Sequence, residues 1–114
     1  DRFTDQRRKQ SALQEARKSY EAIRAKMPEL IQEMKLDLGN PEFQTFREFV
    51  ILPTERTTFN HDKGRFEYYE SAHPNAKTQV ALLESVGYVQ DISKTNWHIY
   101  RMSEAFVNLL TESQ

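Results

Sequence analysis

The sequence predicts an α+β fold: a long N-terminal helix followed by a mixed body of short helices and strands. Three observations predict it. The first 38 residues carry apolar side chains at alternating spacings of three and four, with no glycine before Gly39. Residues 54–102 hold short runs rich in Thr, Phe, Tyr and Val, separated by turn residues. Helical spacing of apolar residues then returns at the end of the chain. At 114 residues there is room for one core. It divides by pattern into a helical arm over residues 1–38 and a body over residues 39–114.

Thr4 suits a helix N-cap, and a polar, Ala-rich stretch follows it. Leu13, Ala16, Tyr20, Ile23, Met27, Leu30 and Met34 are spaced 3, 4, 3, 4, 3, 4, an a/d heptad pattern held for about three heptads. Such a stripe serves either as a coiled-coil seam between chains or as the face that seats the helix on its own domain. Pro28, followed by Glu29, either opens a second helix or kinks one continuous helix, because the stripe passes through it in phase. Leu38-Gly39-Asn40-Pro41 is a stop signal.

Asn40, Pro41 and Glu42 can open a further helix, and Phe43, Phe46, Phe49 and Val50 recur at helical spacing, so residues 41–50 are expected to form a short buried helix. Residues 54–60 and 65–70 flank His61-Asp62-Lys63-Gly64 and predict an inserted β-hairpin. A helix is expected from Asn75 through Val86, with Ala76, Val80, Leu83 and Val86 on one face and Gly87 ending it. Residues 88–92 and 97–102 predict two strands joined by the turn 93–96. Ser103 caps a last helix carrying Phe106, Val107, Leu109 and Leu110. Val89 and Ile92 are expected to oppose Ile99 and Met102. Leu83, Val86, Val89, Ile99, Phe106 and Leu110 should converge on one core.

The cadence of residues 74–110, with "LLESVGYVQDISKTNWHIYRMSEAFVNLL" at its heart, resembles the end of a winged-helix domain: helix, "LE-x-x-G-Y-V", a two-stranded wing, "Y-R-M-S", then a closing helix. The motif is generic to the winged-helix superfamily and covers about a third of the chain. The resemblance implies a winged-helix-like body in which helices 28–38 and 41–50 come first and the hairpin is inserted. It also implies that the helix from Asn75 would be the one to enter a DNA groove. Asn75, Lys77, Thr78, Gln79, Lys94 and Trp97 would then be its nucleic-acid or partner contacts.

Charge argues against that use. The net −1 of the whole chain conceals eight Lys/Arg against four Asp/Glu in residues 1–26, and seven against ten in residues 40–114. A DNA-reading surface needs several cations around it, and the body is acidic. The basic arm, with Arg7-Arg8-Lys9, could instead flank the cytosolic side of a membrane helix. Since the chain opens on Asp1, the expectation is the cytosolic part of a larger, membrane-anchored protein, the membrane being met only through an upstream segment. No membrane span or signal peptide is written in these residues.

The chemistry on offer is thin. Absence of cysteine removes disulfide scaffolds, thiolate metal sites and cysteine nucleophiles, and fits a cytoplasmic, reducing setting. His61, His73 and His98 show no ligand spacing. Gly39, Gly64 and Gly87 are each accounted for by a cap or turn. No catalytic residue, metal ligand or cofactor contact can be nominated, and a non-enzymatic function is expected. The sequence therefore points to an interaction module that self-associates, as a dimer, through the stripe from Leu13 to Met34. The alternative is a DNA-binding winged-helix regulator.

Overall fold

The computed structural model describes residues 2–56 and 64–112, with side chains from residue 11 onward. Helix α1 spans Arg2–Lys26 and α2 spans Pro28–Gly39. Pro28 separates them for two reasons. Its ring pushes the preceding residue out of helical geometry, and Met27 accordingly sits at φ −145°, ψ 58°. Its missing N–H costs nothing at the first position of α2. The apolar stripe nevertheless continues in phase, because Ile31 N–H still bonds the Met27 carbonyl at 3.1 Å.

The short helix expected over 41–50 does not form. Only Pro41–Phe43 makes a single 3₁₀ turn, with the Asn40 side chain accepting the Glu42 N–H at 3.0 Å. Strand β1 follows at Glu48–Leu52. A short apolar run fits a buried helix or a buried strand equally well by periodicity. Glu48-Phe49-Val50-Ile51-Leu52 becomes a strand because both of its edges find partners. Phe43 and Phe46 instead pack against Phe66, with ring centroids 6.2 and 5.3 Å from it.

The four-stranded sheet runs β2-β1-β4-β3, with β2 at Arg65–Tyr69, β3 at Val89–Asp91 and β4 at His98–Met102. The second arm of the expected hairpin is β2, and it lies parallel to β1, Phe49 beside Phe66 and Ile51 beside Tyr68. Residues 54–56 carry no strand, and 57–60, the rest of the expected hairpin arm, lie outside the described residues. β1 and β3 flank β4 antiparallel.

Helix α3 spans Ala76–Ser85 and α4 spans Glu104–Glu112. Gly87, at φ +82°, turns the chain from α3 into β3. The Ser103 hydroxyl accepts the Phe106 N–H at 3.1 Å and so caps α4. The resulting architecture is α+β, with four α-helices and one four-stranded sheet among the described residues.

One core joins Tyr20, Ile23, Met27, the α2 residues Leu30, Ile31, Met34 and Leu38, one sheet face and the buried sides of α3 and α4. Leu83, Val89, Phe106 and Leu110 belong to it as expected. Val86 does not, being 46% exposed. α3 has already ended, and Val86 N–H bonds the Leu82 carbonyl at the cap, so the side chain turns outward. Tyr88 takes the inward place and stacks on Phe106, centroids 4.9 Å apart. Ile99 also misses the core. Side chains alternate along a strand, so Ile99 and Met102 cannot share a face. Val89 pairs with Met102 on the helix side, while Ile99 pairs with Val50 on the other. The same parity separates Val89 from Ile92.

Candidate interaction surface

Helix α1 has two unlike halves. From Tyr20 onward its stripe is buried in the chain's own core, as are Leu30 and Met34 of α2. Residues 11–19 are exposed on every side, and Leu13, 69% exposed, is the most exposed large apolar residue described. A 25-residue helix is about 37 Å long, and its outer half extends a molecule measuring 56 × 27 × 27 Å. Of the seven stripe residues, then, only Leu13 and Ala16 lie on the projecting half.

Beside the buried half, α1 and α2 enclose an open groove of about 650 Å³. Tyr20 and Arg24 line it from α1, and Pro28, Glu29, Glu33 and Leu36 from α2. Leu36 is 65% exposed. The sequence pattern passes over it because it falls outside the heptad stripe.

A second feature lies across α2. Glu33 and Asp37, one turn apart, each reach a residue far away in sequence. The Glu33 carboxylate meets His73 Nε2 at 2.5 Å, and Asp37 accepts the Tyr68 hydroxyl at 3.0 Å. His73 and Tyr68 are both buried. Burial raises the Asp37 carboxyl above its ordinary value, the Tyr68 hydrogen bond opposes that rise, and the Glu33 charge adds to it. Burial, then the charge of Asp37, holds the Tyr68 phenol well above its ordinary value. His73 thus has a carboxylate partner that no spacing in the sequence signals, 40 positions away. Buried histidine and tyrosine at hydrogen-bond distance from carboxylates tie α2 to the β2–α3 segment. Among the described residues no three His, Asp or Glu side chains are placed to hold a metal ion.

The start of α3 and the turn between β3 and β4 hold the remaining sequence-predicted contacts. Asn75 precedes α3 without capping it through its side chain, and Lys77 and Thr78 are exposed. Gln79 is half-buried, its Oε1 enclosed. Lys94 is exposed in the turn between β3 and β4, and Trp97 is half-buried at its end. Asp91 accepts the Ser93 N–H at 2.8 Å, which organises that turn. The Ser93 side chain first, and then its N–H, lower the Asp91 carboxyl below its ordinary value. Nearby cations face carboxylates: Lys77 lies 3.5 Å from Glu70, and Glu48 sits between Arg65 at 2.9 Å and Arg101 at 3.8 Å. The structure thus gathers Asn75, Lys77, Thr78 and Gln79 at the start of α3 and sets Lys94 and Trp97 in the β3–β4 turn, with little cationic charge among the described residues left over for phosphates.

No helix among the described residues is long and apolar enough to cross a membrane. No family model matches the chain, and neither a curated protein nor a solved structure does.

Proposed function

We propose that this chain is a non-catalytic interaction module that self-associates through the projecting half of α1. The observation that carries the reading is the break in the stripe: the same heptad face is buried from Tyr20 inward and bare at Leu13 and Ala16. An unpacked helical segment of this length is marginal in water. Covering its apolar side against a partner supplies the packing that the body does not. The body is read as winged-helix-like. What supports that is the order α2, β1, α3, β3, β4, α4 with β1 and β3 antiparallel on either side of β4. The parallel strand β2 is a departure from it.

Sedimentation of the intact chain against a Leu13→Glu, Ala16→Glu variant tests the proposal. The intact chain should form a dimer, and the variant a monomer that still unfolds cooperatively, its midpoint lowered only by the loss of association. A chain that stays monomeric at high concentration overturns the reading. Duplex DNA should bind no tighter than the non-specific range of about 10⁻⁴–10⁻⁶ M at physiological salt. Tight binding lost on Lys77→Ala, Lys94→Ala would install the DNA-binding alternative in its place.

A further inference from the structure

β3 lies at one end of the sheet, so among the described residues only one of its sides carries a partner strand. The register says which backbone groups turn the other way. Ile92 N–H bonds the Ile99 carbonyl and Ser103 N–H bonds the Tyr88 carbonyl, both at 2.9 Å, with Gln90 opposite Arg101 between them. Alternate residues of an antiparallel ladder exchange both of their bonds with the same neighbour. Tyr88, Gln90 and Ile92 therefore face β4, while Val89 and Asp91 present their N–H and C=O groups to the outer edge.

One of those outward groups is taken. Asp91 N–H donates to Glu84 Oε2 at 3.2 Å, reaching the last turn of α3. Local electrostatics do not favour a carboxylate in that place. The C-terminal turn of a helix disfavours negative charge, and the Asp91 carboxylate is close by. Burial, then the charges of Asp91 and Glu84, raise the Tyr100 phenol above its ordinary value, so both anions stand at this corner. Glu84 is exposed, and water would solvate it well, yet its carboxylate meets the edge of the strand.

We propose that Glu84 closes the β3 edge against strand addition, the strand it excludes being β3 of a second copy. The inference is independent of the arm. Two β3 strands meeting antiparallel about a two-fold axis would put Gln90 on the axis and Val89 of each opposite Asp91 of the other. The N–H and C=O groups of Val89 and Asp91 would then make four bonds and join two four-stranded sheets into one. Two of the four need the Asp91 N–H that Glu84 holds. The same approach would crowd both copies of Glu84 and Asp91 together. An edge strand is a template for another chain, and charge placed on it discourages pairing. β3 is three residues long, so it has few bonds to offer and the loss of half of them weighs heavily.

The chain has no cysteine, so a single Gln90→Cys reads the pairing without background. Gln90 is exposed. A non-hydrogen-bonded antiparallel pair sets its Cα atoms about 4.5 Å apart, within reach of a disulfide. The substitution is made in the Leu13→Glu, Ala16→Glu chain, so that contact between arms plays no part. Ala is the best helix former, so adding Glu84→Ala leaves α3 intact, and cooperative unfolding checks that it does. After reduction and reoxidation, Glu84→Ala should speed covalent dimer formation over the parent on the order of tenfold, as two regained hydrogen bonds imply. Glu84→Gln keeps an acceptor for the Asp91 N–H and should react at a rate close to the parent's. Equal rates for Glu84→Ala and the parent, whether both slow or both fast, overturn the proposal. So does a rate for Glu84→Gln as high as that for Glu84→Ala.

Discussion

The two halves of α1 carry the same repeat and meet opposite fates. Ile23 and Met27 lie in the core with the sheet and the other helices, while Leu13 and Ala16, ten or so residues earlier in the same register, are exposed and outside it. A heptad stripe records that one side of a helix is to be covered. It does not record by what. Coverage here is decided by where the body ends, and that depends on Pro28 separating α2 from α1 and on the sheet that α2 lies against.

The largest effect that can break this comparison is truncation in the packed half. Met34→Ala or Leu30→Ala, like Phe106→Ala across the same core, should cost about 2–5 kcal/mol, because a cavity is left where nothing can collapse into it. Against a total of about 5–15 kcal/mol for a domain this size, urea midpoints should fall steeply. A small effect at all three positions would mean that the stripe is not seated in the core.

A smaller and pH-dependent effect belongs to Asp37, on the outer edge of the packed half. Its carboxyl is raised, so the folded chain holds that proton more tightly than the unfolded chain does. The stabilisation this gives is complete below the ordinary value of 3.8 and is lost as the pH rises through the folded value. Asp37→Asn keeps an acceptor for the Tyr68 hydroxyl and removes the desolvated charge. The variant should therefore be the more stable at neutral pH, by an advantage that shrinks as the pH falls. Denaturation midpoints measured between pH 7 and 4 check the sign. An advantage that grows with acidity would contradict it.

The smallest effects belong to the bare half and to the outer side of α3. In the monomer, Leu13→Ala and Thr78→Ala should each change unfolding free energy by no more than about 0.5 kcal/mol, as surface substitutions usually do. A loss at Leu13 comparable to that at Leu30 would show that the arm folds back onto its own body.

Much of the C-terminal third was legible because its signals are local. The helix expected at Asn75–Val86 is Ala76–Ser85, and the strands and closing helix lie where Gly87, the turn at 93–96 and Ser103 place them. Each of those residues acts within a few positions: a left-handed turn, an Asx turn, a hydroxyl cap. The segment 41–70 was misread because its structure is a matter of distant partners. Phe43, Phe46 and Phe49 have helical spacing, yet Phe49 belongs to a strand with β2 on one edge and β4 on the other, 17 and 51 residues away by register.

By itself, then, the amino-acid order determined an α+β chain without cysteine, a heptad stripe that runs in phase through Pro28, a basic arm ahead of an acidic body, and the local stops and caps of the last third. Only the tertiary structure decided that β2 runs parallel to β1 and that His73 and Tyr68 find Glu33 and Asp37 across α2. It alone also decided that the stripe is covered from Tyr20 inward and bare at Leu13. The reason is one of range. Turns, caps and periodicities act over a few residues and can be read along the chain. Strand partners, long-range side-chain hydrogen bonds and the edge of a core depend on which distant surfaces meet, and many pairings are compatible with one pattern.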